Sequence, residues 1–142
     1  MPEISLQDSL NKAYIKAPLE RSEIGLFKTE FINLLDGIRE NPEEREEHFK
    51  NKVIPFLRKT WYEPEHYINT HKDFDMAIHN GEKSTSSIGV IIETKRPGKN
   101  TEMVSRSNLN VKSMQQLLLY YFRSTIDDKN FQLKHLIITN TI

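Results

Sequence analysis

The sequence predicts an α/β domain with a mixed sheet of about four strands and helices flanking it. Apolar residues recur at helical spacing in the first 62 residues, and four short apolar or alternating runs with strand character follow. One more helical repeat separates the last of these runs from the others. A hairpin joins antiparallel strands, whereas a helical crossover returns the chain as a parallel strand. We therefore expect helices, an antiparallel group of strands, a helix and a parallel strand.

Three helices are predicted in residues 1–62. Leu6, Leu10 and Tyr14 are spaced for one face of a short first helix, and a second helix begins near Ser22. A third helix starts after Asn41-Pro42, and Pro55 is expected to kink or divide it. The apolar repeats of the second and third helices are Ile24, Phe27, Phe31, Leu34, Leu35 and Ile38, then Phe49, Val53, Phe56 and Leu57.

The first turns of the third helix are strongly acidic, with glutamates at positions 43, 44, 46 and 47. The helix dipole favours negative charge at this end. We therefore expect these glutamates to form a solvated helix start and not a functional site.

An antiparallel hairpin is predicted from residue 73 to residue 98, preceded by a short strand at 67–70. Residues 73–79 alternate, and Asn80-Gly81 followed by a polar run to Ser87 predicts the connecting loop. The two predicted faces of the first arm are Asp73, Asp75 and Ala77 against Phe74, Met76 and Ile78. Those of the second arm are Ile88, Val90 and Ile92 against Gly89, Ile91, Glu93 and Lys95.

The second arm is apolar on both faces up to Ile92, which is typical of a central strand covered on both sides. Glu93 and Lys95 then leave it on one side, before Pro97-Gly98 ends it. A helix over residues 110–124 and a strand over 135–139 complete the domain. The chain stops three residues after this apolar strand, so we expect residues 1–142 to be a single domain from the N-terminal part of a longer chain.

Composition excludes several classes of protein. With 20 basic and 20 acidic residues the net charge is zero, so any nucleic-acid-binding surface has to be local. The absence of cysteine excludes disulfide scaffolds and cysteine-based metal or nucleophile sites. No apolar run suits a membrane span, and the opening residues lack the features of a secretion signal. We expect a cytoplasmic protein.

The charged residues of the hairpin predict a metal site. Asp75 lies on one strand, and Glu93 and Lys95 lie on its neighbour. Two carboxylates that converge at adjacent strand ends offer the oxygen ligands that Mg²⁺ or Mn²⁺ prefers, and the backbone carbonyl of Thr94 is a natural third ligand. Such an ion acidifies water and neutralises phosphate charge, while the Lys95 ammonium can orient or deprotonate that water.

Asp75 followed by Glu93-Thr94-Lys95 resembles the D…(D/E)-x-K signature of the restriction-endonuclease-like PD-(D/E)XK nuclease superfamily. Gln116 and Tyr120 resemble the Q-x-x-x-Y that follows it in some branches. The segments FDMAIHNG, GVIIETKRPG, MQQLLLYYFR and KHLIITN are similar to the N-terminal nuclease domain of type IIG restriction-modification enzymes. The resemblance implies an α-β-β-β-α-β core, with residues 1–62 mainly helical and residues 63–142 forming the catalytic sheet and helix.

The resemblance also implies roles for individual residues. Asp75, Glu93 and Thr94 would hold Mg²⁺, for which Mn²⁺ can substitute, and Lys95 would be the catalytic lysine. Gln116 would position the active site, and Asp73 competes with Asp75 for one role. Possible DNA contacts come from the basic loop after the hairpin and the polar stripe of the last helix: Arg96, Lys99, Arg106, Lys112, Tyr120 and Arg123.

The implied function is a Mg²⁺-dependent endonuclease acting on double-stranded DNA. Methyltransferase and target-recognition domains would lie elsewhere in the full-length chain, and cutting both strands would need a transient dimer on DNA. Two alternatives stay open: a non-catalytic DNA- or protein-binding module with the same fold, and the nuclease domain of a type I restriction subunit or a repair nuclease.

Overall fold

The computed structural model describes residues 4–40, 45–71, 74–97 and 100–140. Within them the chain forms a mixed α/β fold in which helices flank a four-stranded sheet. The helices are α1 (Leu6–Ser9), α2 (Lys12–Ile15), α3 (Arg21–Arg39), α4 (Glu46–Leu57) and α5 (Lys112–Phe122). The strands are β1 (Ile68–His71), β2 (Phe74–His79), β3 (Ile88–Thr94) and β4 (His135–Thr139).

The sheet has the predicted topology. Its strand order is β1-β2-β3-β4, with the first two pairs antiparallel and the β3–β4 pair parallel. The hairpin loop is closed by a hydrogen bond from the Asn80 N–H to the Ser87 carbonyl (2.8 Å). Because β2 and β3 run in opposite directions, the start of β2 and the end of β3 lie at the same end of the sheet.

Each face of the sheet has its own core. Helices α3 and α4 cover one face, where Leu34, Phe49 and Val53 pack with Met76 and Ile92. Helix α5 covers the other face, where Leu117 packs with Ala77 and Ile91. Burial of each of these large apolar side chains stabilises the fold by roughly 1.5–3 kcal/mol. The central strands are therefore held from both sides.

Strict alternation fails at two positions. Phe74 and Ile88 pack on the face of the sheet that α5 covers. Their spacing had predicted that Phe74 shares a face with Met76 and Ile88 with Ile92, which is the face covered by α3 and α4. Both residues lie beside irregular pairing: the β1–β2 register shifts between Asn69 and His71, and the β2–β3 register shifts next to the His79–Ile88 pair. A bulge changes the side to which a strand residue points.

The helices differ from the sequence prediction at their ends. The predicted N-terminal helix is two helices of four residues each, and Leu10 and Tyr14 are exposed. Helix α3 begins beside a capping box formed by Glu20 and Glu23. Helix α4 passes through Pro55 without dividing and continues as a π-helical turn, Arg58–Tyr62. A similar turn, Arg123–Asp127, follows α5, and a short 3₁₀ helix, Asn100–Glu102, precedes it.

No helix in the part of the chain that the structure describes is long and apolar enough to cross a membrane.

Candidate metal centre

Strand pairing brings Asp75 and the Glu93-Thr94-Lys95 segment together, as the sequence predicted. Asp75 is the second residue of β2, and Glu93 and Thr94 are the last two of β3. Thr94 donates to Asp75 Oδ2 twice, from its backbone N–H (2.8 Å) and from Oγ1 (3.0 Å). This clamp fixes the plane of the Asp75 carboxylate. Asp73 lies outside the described residues, so its competition with Asp75 stays a prediction.

Helix α4 adds a carboxylate that the sequence analysis had assigned to solvent. Glu46 lies close to Asp75 and Glu93, and one carboxylate oxygen from each of the three lies within 4.8 Å of the others. The prediction of a solvated start is therefore wrong for Glu46. Glu47 is exposed, as predicted, and pairs with Lys50 at 2.6 Å; residues 43 and 44 lie outside the described ranges.

Lys95 sits among these acids. Its Nζ donates to Glu93 Oε1 at 2.7 Å and to Glu46 Oε1 at 3.4 Å, and its side chain is only 7% exposed. Burial alone would lower the pKa of Lys95, but the hydrogen bond to Glu93 and the charges of Glu93, Glu46 and Asp75 raise it. Lys95 is therefore a cation at neutral pH.

Glu93 has a carboxylate oxygen without a partner. Its side chain is 3% exposed, and Oε2 has no hydrogen-bond partner among the described residues. Burial raises the pKa of Glu93, and the charges of Asp75 and Glu46 add to this shift, while Lys95 opposes it. Burial also raises the pKa of Glu46, again with Asp75 adding and Lys95 opposing. Buried polar atoms are nearly always paired, so an unpaired carboxylate oxygen here points to a missing cation or donor.

Helix α5 borders the same cluster. Gln116 Oε1 is buried without a partner among the described residues, and the Gln116 side chain lies close enough to Tyr120 to oppose the rise in the pKa of its phenol. Burial raises the pKa of Tyr120, and the charges of Glu93 and Asp75 contribute, which places the phenol near these carboxylates. Its ring packs on Phe74 at 5.9 Å between centroids. Tyr120 of the predicted Q-x-x-x-Y pair thus lies near the acidic cluster. The role of Gln116 stays a prediction.

The basic residues predicted to contact DNA are spread more widely than the residues of the acidic cluster. Arg106, Lys112 and Arg123 are exposed, and Arg96 is half-buried. Lys99 lies outside the described residues. Arg96 and Arg106 lie on the segment between β3 and α5, whereas Lys112 and Arg123 lie at the two ends of α5. Their role in binding DNA stays a prediction.

The charge balance of the cluster suits a divalent cation. Among the described residues, three carboxylates face two lysines, because Lys50 of α4 also lies 3.3 Å from Asp75 Oδ1. The carboxylates supply hard oxygen ligands of the kind that Mg²⁺ and Mn²⁺ take. The Thr94 residue is fully buried and oriented toward Asp75 through its donors, and its carbonyl as a ligand stays a prediction.

Fold and site together define a mixed α/β domain with a carboxylate–lysine cluster at one end of its sheet. The model of a family described as a domain of unknown function, DUF7149, matches residues 4–142, and the chain belongs to that family. No curated protein matches the chain, and neither does any solved structure.

Proposed function

We propose that this chain is a Mg²⁺-dependent DNA endonuclease domain that hydrolyses phosphodiester bonds. The observation that carries the proposal is the buried Glu93 Oε2, which has no partner among the described residues and lies within a three-carboxylate cluster beside a cationic lysine. An acidic cluster alone is common on protein surfaces. A buried carboxylate oxygen that lacks a donor is costly, and a metal ligand role explains why it is kept.

Glu46, Asp75 and Glu93 are the residues that would hold the ion. They come from three different elements, α4, β2 and β3, and the two strands are covered on both faces. When bound, the ion acidifies a water molecule and neutralises charge on the phosphate. A rigid sheet end keeps the ligands in place without reorganisation.

Lys95 contributes charge and hydrogen-bond donors. Without an ion, the neighbouring carboxylates raise the pKa of Lys95, and its ammonium is suited to donating to a phosphate oxygen or orienting the attacking water. The Tyr120 hydroxyl lies near the same carboxylates, and we assign to Gln116 and Tyr120 the orientation of the phosphodiester or its water.

The order of elements supports a restriction-endonuclease-like core. Helix α4, strands β1 to β3, helix α5 and strand β4 follow the α-β-β-β-α-β order of the PD-(D/E)XK superfamily. The additional likeness to type IIG enzymes leads us to propose that the chain is the cleavage module of such a restriction-modification enzyme. Sequence readout would then belong to other domains, because recognition needs contacts to base edges.

Plasmid nicking tests the proposal. We expect this chain to convert supercoiled plasmid to open circles with Mn²⁺ or Mg²⁺ and to stop when EDTA is added. Glu93→Gln should reduce the rate by at least about a hundredfold, because it removes a metal ligand while keeping shape. Glu30→Gln is the matched control, since Glu30 is a largely buried carboxylate paired with Lys59 away from the cluster.

Nicking that persists in Glu93→Gln would contradict the assignment of the site. If the wild-type chain shows neither nicking nor divalent-ion binding, but retains DNA binding, the non-catalytic module would be the better description.

A further inference from the structure

Lys50 is a second lysine at the candidate metal centre, and the resemblance assigns no role to it. It lies one helical turn after Glu46 on α4. Its Nζ is 2.6 Å from Glu47 Oε2 and 3.3 Å from Asp75 Oδ1, and its side chain is 14% exposed. The ammonium therefore bridges an exposed glutamate on the helix and a carboxylate of the cluster.

The two oxygens of Asp75 have different surroundings. Oδ2 accepts both donors of Thr94. Oδ1 is the oxygen that remains for a cation, and Lys50 is the cation beside it. Lys95 contacts the other two acids, Glu93 and Glu46, so the two lysines divide the cluster between them.

We propose that Lys50 competes with the divalent ion for Asp75 Oδ1, and that Glu47 holds the Lys50 ammonium when the ion is bound. This inference rests on the proposed function, since it concerns the same metal centre. Lys50 is thus a positioning residue that sets how much metal is needed to load the site. An ammonium on a ligand oxygen both blocks coordination and repels a divalent charge. Glu47 is mostly solvent-exposed, so it can accept the displaced ammonium without a burial cost.

The test is a Mn²⁺ titration of this chain, in which electron paramagnetic resonance measures the concentration of free ion. Lys50→Met and Lys50→Gln should each bind Mn²⁺ roughly tenfold more tightly than wild type, because one positive charge near a divalent ion has been removed. Lys50→Arg keeps the charge and should stay close to wild type. Lys59→Met removes a lysine paired with Glu30 elsewhere and should also leave the affinity unchanged.

Glu47 supplies a test with the opposite sign. Glu47→Gln should weaken Mn²⁺ binding severalfold, since Lys50 loses its alternative partner and stays on Asp75. In the Lys50→Met background the same substitution should have a much smaller effect. Equal effects in both backgrounds would mean that Glu47 does not act through Lys50.

The outcomes separate this proposal from the proposed function. Both proposals are supported if Lys50→Met and Lys50→Gln bind Mn²⁺ more tightly than wild type and Glu93→Gln binds it most weakly. Unchanged or weaker binding by Lys50→Met and Lys50→Gln, with circular dichroism showing intact folds, overturns competition by Lys50 and leaves the metal centre standing. No Mn²⁺ binding by wild type or either neutral variant overturns the metal centre and the role of Lys50 with it.

Discussion

The two ends of the sheet each carry a cluster of polar side chains, and the clusters differ in how completely they are paired. At the start of β2 and the end of β3, the carboxylates of Glu46, Asp75 and Glu93 lie close together. Two buried oxygens, Glu93 Oε2 and Gln116 Oε1, lack hydrogen-bond partners among the described residues. At the opposite end, His79 is buried but bonded at both ring nitrogens, to the Ser86 carbonyl (2.7 Å) and to Asn69 Oδ1 (3.0 Å).

The hydrogen-bond network at the His79 end of the sheet includes residues of the loop between β2 and β3. Asn80 Nδ2 donates to Ser87 Oγ, Ser87 Oγ donates to Gln132 Oε1, and Asn130 Nδ2 donates to the Ile88 carbonyl. These bonds join the loop to the segment before β4. A satisfied network of this kind stabilises structure, whereas an unsatisfied one marks a place where a ligand would complete the bonding. We call the paired end the structural end and the end with the acidic cluster the candidate functional end.

Removing the Lys95 ammonium should produce the largest loss in the free energy of unfolding. Such a loss would show that the acidic cluster needs a compensating positive charge. We expect Lys95→Met to lower the free energy of unfolding by about 3 kcal/mol, because it leaves buried carboxylates uncompensated. Mn²⁺ should restore part of this loss by replacing the missing positive charge. Urea unfolding with and without Mn²⁺ measures both quantities.

The matched control is Lys59→Met, which breaks the Lys59–Glu30 ion pair. Because Lys59 is more exposed than Lys95, the free energy of unfolding should fall by no more than about 1 kcal/mol. A Lys95→Met chain as stable as this control would show that the cluster does not need its lysine.

Gly89→Ala should produce an intermediate effect confined to the structural end. A Cβ at position 89 would overlap Asn80 Oδ1, so the Asn80 side chain has to leave its place in the network. We expect a loss of about 2 kcal/mol in unfolding free energy, as for other overpacked buried positions. Isothermal titration with Mn²⁺ should give the wild-type affinity. A change in Mn²⁺ affinity would mean that the two ends are coupled.

Thr94→Val should produce the smallest effect, because the variant keeps the shape and the backbone donor and loses only the Oγ1 hydrogen bond to Asp75. We expect a loss of about 1 kcal/mol in unfolding free energy and severalfold weaker Mn²⁺ binding. Thr60→Val removes a hydroxyl bond to the Phe56 carbonyl on α4 and should not alter Mn²⁺ binding. Equal Mn²⁺ affinity in both variants would argue against the Asp75 clamp.

Much of the sheet follows from the sequence because its patterns are local. The period of two over residues 73–79 and 88–92, the turn at Asn80-Gly81 and the helix before residue 135 are enough to predict strand pairing and its directions. The E-x-K spacing on one strand also accounts for the 2.7 Å contact between Glu93 and Lys95. The exceptions, Phe74 and Ile88, lie beside register shifts that no residue pattern announces.

Glu46 and Lys50 were missed because their place in the cluster depends on how α4 packs against strands far along the chain; Lys50 precedes Asp75 by 25 residues. A signal was present: Glu46 lies three residues before Phe49 and seven before Val53, so it shares the buried face of α4. Its charge, and the acidic neighbours that suit any helix start, favoured the solvent interpretation instead.

The sequence by itself determined the element order, the two core faces and the pairing of Glu93 with Lys95, since each depends on spacing within one strand or helix. Only the tertiary structure decided that Asp75 is clamped by Thr94, that two α4 side chains join the cluster, and that Glu93 Oε2 is buried with no donor among the described residues. Burial and pairing of a polar atom depend on which distant elements close over it, and that packing is a property of the whole fold.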